Sequence, residues 1–241
     1  MGRVAMSVMV GAAESNNMAA TELQLRVDNI EKQAGGSVAV ITLARPDGGE
    51  MPPWSPGAHV DVVLPNGIVR QYSLCGVGDK TTTWRLGVLR EQQSRGGSEY
   101  VHTSLRVGDL ITIRGPRNNF PLVDSERYVF VAGGIGITPF LPMIEEVHRR
   151  GADWSLVYGG RSRSTMAFLD ELAQYGDRVT LWPQDEVGLI DVKGIVERLT
   201  PGAVVYCCGP EPLIAAMEEA TAHLPEGTLN VERFRPREDL L

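Results

Sequence analysis

Cysteine is scarce, long apolar runs are missing, and positive charge is outnumbered. The 241 residues include three cysteines, Cys75, Cys207 and Cys208, two of them adjacent and the third far upstream. That set excludes a disulfide scaffold. Neighbouring cysteines also lack the two-residue gap of metal knuckles and thioredoxin-like motifs, so no metal site is expected. A reducing, cytoplasmic location fits the same usage. No apolar run reaches membrane-spanning length, so no membrane segment is expected. The apolar stretch from Val4 to Ala13 runs straight into Glu14-Ser15-Asn16-Asn17 and reads as a flexible leader over residues 1–20 rather than an export signal. Thirty acidic against 23 basic residues, a net charge of −7, argue against nucleic acid or an anionic membrane as partner, because both would be repelled at long range. His59, His102, His148 and His223 read as surface or core residues, and no histidine or carboxylate pair suggests general acid–base machinery.

What is present is a change of period. From Glu22 to Gly115 short alternating runs repeat, as in residues 37–43, 59–64, 84–89 and 109–114, separated by turns such as Pro46-Asp47-Gly48-Gly49 and Pro65-Asn66-Gly67. This predicts an antiparallel β-barrel over residues 21–118, interrupted by one helix around Ser98–Leu105. After Pro121 apolar strands alternate with helix-length segments: strands at 128–132, 154–158, 179–182, 203–207 and 228–234, helices at 139–150, 165–175, 191–199 and 211–224. That alternation predicts a second, α/β domain over residues 119–241 with a parallel sheet covered on both faces, joined to the barrel by a loop at 116–126.

Four motifs stand out. In Arg70-Gln71-Tyr72-Ser73-Leu74, alternate residues of a strand place a phosphate-gripping guanidinium beside a flat aromatic ring, although an ordinary half-exposed strand fits as well. In Arg95-Gly96-Gly97-Ser98, glycines and an N-cap serine open a short helix, as an anion site would, or as a plain capped turn would. Gly133-Gly134-Ile135-Gly136-Ile137-Thr138-Pro139 lies between a strand and a helix, where glycines admit a pyrophosphate and Pro139 suits the first helical position. Cys207-Cys208-Gly209-Pro210 sits at the carboxyl end of a parallel strand, with one thiol expected in the core and the other facing a cleft, although the motif taken singly favours two buried apolar thiols.

In this order and spacing the four motifs resemble the ferredoxin–NADP⁺ reductase superfamily, most closely the phthalate dioxygenase reductase and vanillate demethylase reductase branch. Supporting likenesses are Gly115-Pro116-Arg117-Asn118-Asn119-Phe120-Pro121-Leu122, Tyr158-Gly159-Gly160-Arg161 and Ala167-Phe168-Leu169-Asp170-Glu171-Leu172. The resemblance implies a flavin-binding barrel and a nicotinamide-binding α/β domain. It implies further that Arg70 holds the flavin phosphate with Gly96, Gly97 and Ser98, that Tyr72 lies against the isoalloxazine, and that Ser73 bonds near its reactive nitrogen. Gly134, Gly136 and Thr138 would line the nucleotide, Cys208 and Gly209 would sit near the nicotinamide, and Phe234 would approach the flavin from its other side, or else be the last core residue of the last strand. Ser73 and Cys208 are thus the expected catalytic positions.

The branch implies FMN, with FAD the alternative, and NADH, with NADPH the alternative should Arg161 and Arg163 take a 2′-phosphate. Electrons would pass to an iron–sulfur protein or an oxygenase component. Small acceptors, as in a flavin or ferric reductase, and a non-catalytic flavoprotein subunit are the other outlets. Close relatives carry a [2Fe–2S] domain needing four spaced thiolates, which the residues up to Leu241 do not supply. Either a separate ferredoxin or oxygenase component is then the partner, or the chain is part of a longer protein.

Overall fold

The computed structural model describes residues 22–78, 81–93 and 96–234; the expected leader and Arg95 lie outside them. Six antiparallel strands come first: β1 (Glu22–Gln33), β2 (Val38–Ala44), β3 (Ala58–Val63), β4 (Val69–Ser73), β5 (Thr83–Leu89) and β6 (Leu110–Asn118), in the order β4-β3-β6-β1-β2-β5. The two edge strands then meet. Leu74 bridges Leu86, and the Cys75 N–H donates to the Arg85 carbonyl at 3.0 Å, so the sheet curls into a barrel and its edges are largely satisfied. Alternate residues fill the interior: Ala39, Ile41 and Leu43 from β2, Val60 and Val62 from β3, and Trp84, Leu86 and Val88 from β5. Helix α1 (Gly97–Thr103) supplies Val101 to the same cluster. In β1 the register shifts between Val27 and Asn29 and breaks the alternating period.

The second half runs β7 (Arg127–Gly133), α2 (Phe140–Arg149), β8 (Asp153–Gly160), α3 (Leu169–Ala173), β9 (Val179–Pro183), α4 (Gln184–Val187), α5 (Val192–Glu197), β10 (Val204–Cys208), α6 (Glu211–Thr221) and β11 (Leu229–Glu232). The strands are parallel, in the order β11-β10-β7-β8-β9. Central β7 buries alternate residues on opposite faces: Phe130 and Ala132 against Phe140, Met143 and Ile144 of α2, and Val131 against Ile195 of α5 and Ile214 and Met217 of α6. Among the described residues no helix is long and apolar enough to cross a membrane.

Two sequence expectations need correction. The helix expected at 165–175 shrinks to α3, because the backbone N–H of Ala167 goes to the Tyr158 hydroxyl and that of Phe168 to the Gln33 side chain, and Phe168 takes φ 62°. The loop expected at 116–126 begins later, since β6 continues to Asn118. It is also tied down. The Tyr206 hydroxyl accepts from the Val123 N–H and donates to the Pro121 carbonyl, each at 2.8 Å, while the Phe120 ring packs edge-on against Tyr206. Tyr206→Phe strips both bonds while preserving volume, and is expected to lower unfolding free energy by about 1–3 kcal/mol. Urea denaturation measures this, and an unchanged midpoint would show that the Tyr206 hydroxyl does not secure the connection.

Candidate functional site

The end of β11 meets the end of β4 through Glu232 and Ser73, and the turn after β7 packs on β5 through Thr138 and Gly87, so motifs from both halves border one seam. On β4, Arg70 and Tyr72 share a face as the strand period requires, with Val69 and Gln71 exposed on the other. Arg70 lies across the start of α1: a Cβ added to Gly97 would sit 2.7 Å from its Cγ and 2.9 Å from its Nε. The glycine is therefore needed for close approach. Gly96, at φ 89°, is the residue before the helix, and Ser98 is already inside it, buried, with its hydroxyl accepting from the Glu91 N–H at 3.1 Å. The expected serine cap is thus replaced by a left-handed glycine, a conformation open to glycine at little cost. Burial pushes the Tyr72 hydroxyl up to about 12, so the ring stays neutral.

In the second half, β7 leads through a 3₁₀ turn (Gly134–Ile137) into α2, with Pro139 as the N-cap rather than the first helical residue. The glycines here divide into two kinds. A Cβ at Gly134 would meet nothing within 4 Å, whereas one at Gly136 would collide with the Cys208 carbonyl and one at Gly209 would lie 2.9 Å from the Gly133 Cα. Gly133, Gly136 and Gly209 thus press the two strand-to-helix turns together, and of the expected nucleotide glycines Gly134 alone faces open space. Thr138 is 2% exposed, donates to the Ile135 carbonyl at 3.0 Å, and turns its methyl toward Gly87 of the barrel.

Cys207 and Cys208 are both fully buried, on opposite faces of the sheet, so the expectation that one thiol faces a cleft is corrected. Burial, with the Glu232 carboxylate adding to it, holds the Cys208 thiol well above its ordinary range and keeps it neutral. Phe234 lies two residues beyond β11 and is 43% exposed. Among the described residues no group of three His, Cys, Asp or Glu is placed to hold a metal.

The Ser73 hydroxyl, buried at the end of β4, donates to Glu232 Oε2 at 3.2 Å. Glu232 stands beside Cys208 in the β10–β11 register. Burial raises its carboxyl to about 7, against the lowering effect of Ser73. Sequence reasoning missed this residue, although an acid inside a predicted strand of a two-faced parallel sheet was the available signal.

Residues 130–219 match the oxidoreductase NAD-binding domain family. The chain is 42% identical over 203 residues to the phenoxybenzoate dioxygenase subunit beta of Ectopseudomonas oleovorans, covering 83% of this chain and 64% of that one. The crystal structure of an intact type IV self-sufficient cytochrome P450 monooxygenase superimposes with a TM-score of 0.85 at 45% identity, over 90% of this chain and 28% of that one. Phthalate dioxygenase reductase, described as a modular structure for electron transfer from pyridine nucleotides to [2Fe–2S], superimposes with a TM-score of 0.83 at 33% identity, over 88% of this chain and 67% of its own. The chain belongs to the ferredoxin–NADP⁺ reductase superfamily, in the phthalate dioxygenase reductase branch. It spans a little under two thirds of the length of the curated relatives it matches, 64% and 65% for the first two.

For this chain the titration of Glu232 has a definite sign. The folded chain keeps a proton up to about pH 7 that the carboxyl ordinarily releases near 4.5. The folded state is therefore the better proton binder between those values, and its stability falls as pH rises through that window and levels off above it. Glu232→Gln is expected to flatten this slope in denaturation midpoints taken from pH 4.5 to 8; an identical slope in the variant would show that Glu232 titrates normally.

Proposed function

We propose that the chain carries electrons from NADH through FMN to an iron–sulfur protein or oxygenase component, with the flavin on the barrel at residues 21–118 and the nucleotide on the α/β domain at 119–241. The observation that carries this reading is the meeting of Ser73 and Glu232 at 3.2 Å across the seam, with the phosphate-gripping strand on one side and the glycine turns on the other. The donor set fits a flavin phosphate. The Arg70 stem crosses the Gly96-Gly97-Ser98 turn, where glycine leaves space that a Cβ would fill, and a guanidinium with nearby backbone N–H groups suits a dianion. The polar loop Arg90–Gln93 presents no aromatic ring to an adenine, and Arg90 is gripped by Glu99 at 2.9 and 3.0 Å, which supports FMN over FAD. NADH is supported over NADPH by the ion pair between Arg163 and Glu186 at 2.9 Å, which sets an acid against a guanidinium otherwise suited to a 2′-phosphate.

Bound there, the flavin supplies the exchange of a two-electron hydride for single electrons. The chain's own part is to bind, orient and keep dry. Tyr72 offers a neutral ring beside Arg70. Ser73 holds its hydroxyl at the seam, oriented by Glu232. The Glu232 carboxyl, poised near neutrality, can hold or release a proton at Oε2, while the buried neutral thiol of Cys208 keeps charge and water from that end of β10. Gly134 leaves open space at the turn for the nucleotide, and Gly136 and Gly209 bring the second turn alongside.

Arg70→Gln removes the charge while leaving β4 able to form. It is expected to weaken FMN binding about 10- to 100-fold, the worth of a charge-assisted hydrogen bond to phosphate, with the circular dichroism spectrum unchanged. Quenching of flavin fluorescence on titration of the apoprotein gives the affinity; equal affinity in variant and parent would remove Arg70 from the site.

A further inference from the structure

Among the contacts that join the halves away from Ser73 and Glu232, two gather around Phe168. This residue is non-glycine yet sits at φ 62°, ψ 20°, and it is 2% exposed. Its backbone N–H, unavailable to α3 in this conformation, donates to Gln33 Oε1 at the end of β1, at 2.8 Å. The Gln33 amide is itself oriented by its bond to Glu31 at 2.7 Å. One turn further along, Glu171 of α3 receives Arg85 of β5 in a two-pronged grip at 2.6 and 3.1 Å, with both side chains about three-quarters buried. The same guanidinium lies 5.8 Å from the centroid of the Phe168 ring. A Cβ at Gly87 of β5 would meet that ring at 3.2 Å and the Thr138 methyl at 2.7 Å. Two barrel strands therefore hold one elbow of the α/β half through a strained backbone, a partly buried bidentate ion pair and close steric contact. Such a conformation persists where the surroundings over-determine it.

The elbow and the nucleotide turn share one support, since the Phe168 ring and the Thr138 methyl both lie against Gly87 of β5. Thr138 closes the turn of Gly134–Ile137, and Gly136 of that turn rests on the Cys208 carbonyl. A shift of the elbow relative to β5 is thus a shift of the nucleotide turns relative to β4.

We propose that Phe168, with Gln33, Arg85 and Glu171, forms an interdomain latch that fixes how closely the nicotinamide ring approaches the flavin. These are positioning residues, and the proposal rests on the nucleotide-to-flavin reading given above. Gln33 and Glu171 are outside the set of residues expected to hold the flavin and the nucleotide. Loosening them leaves both binding sites built but misplaced with respect to each other, and displacements on the order of 1 Å cost about a hundredfold in rate at well-oriented centres.

The test uses FMN-loaded protein carrying Gln33→Ala, Glu171→Gln, or both, mixed anaerobically with NADH in a stopped-flow spectrometer. The latch predicts that each single variant lowers the limiting rate of flavin bleaching per bound FMN by about tenfold or more. It predicts that the long-wavelength charge-transfer absorbance of the nucleotide–flavin pair weakens, and that the NADH concentration for half-maximal rate changes far less. The double variant should fall close to either single one, because the two contacts act on one elbow. Arg85→Lys, which keeps the charge without the fork, should recover part of the rate lost in Arg85→Ala. Bleaching rate and charge-transfer band unchanged per bound FMN, even with a lower melting temperature, would reduce these residues to scaffolding and overturn the latch alone. Parent protein that neither NADH nor NADPH bleaches would overturn the functional reading and the latch with it.

Discussion

Ser73 and Glu232 stand 159 residues apart in the chain and meet at 3.2 Å, a single contact that imposes conditions on both sheets. A carboxyl taken out of water needs a hydrogen-bond donor or a proton, and Glu232 has both within reach: the Ser73 hydroxyl, and a titration raised by burial to about 7. For the donor to arrive, β4 must lie at the edge of a closed barrel, with its last residue turned to the seam. For the acceptor to arrive, β11 must be the outer strand beside β10, its carboxyl end on the side where open parallel sheets carry their ligands. The connection at residues 118–126, pinned by Tyr206 and Tyr128, delivers the second sheet to the first.

Close approach of backbone governs the rest of the seam. Glycine at 133, 136 and 209 lets the turns after β7 and β10 touch, and Gly87 lets Thr138 and Phe168 reach β5. These positions carry no chemistry of their own. Each removes a side chain so that two main chains, or a main chain and a methyl group, come within van der Waals distance. The strained Phe168 elbow and the partly buried Arg85–Glu171 pair complete the same joint from the other side. Chemistry and geometry are thereby divided between different residues: Arg70, Tyr72, Ser73 and Glu232 face the ligands in the proposed reading, and the glycines and the latch set distances.

Much of this was legible in the sequence because period reports on burial. The alternation of Val38–Leu43 and the alternating β and α segments after Pro121 gave both sheets, and Arg70 and Tyr72 fell on one face because a strand has period two. What escaped was long-range. The helix at 165–175 was overrun because its capture by Tyr158 and Gln33, the latter 135 residues away, leaves no local mark. Cys208 looked like a cleft residue because adjacent residues of a strand must face opposite ways, yet both faces of this sheet are covered. Ser98 was read as a cap because serine commonly is one, while Gly96 already held the left-handed conformation that starts α1. Glu232 carried a usable signal, an acid inside an apolar strand of a sheet covered on both faces.

The most direct test of the central claim is an anaerobic titration of the flavin-loaded protein with NADH, followed by NADPH, with the bound flavin identified after release. The proposed function predicts released FMN, bleached in full by about one equivalent of NADH and more slowly by NADPH, since a flavin accepts the two electrons of one nucleotide. Protein that takes up no flavin, or flavin that neither nucleotide bleaches, would contradict it.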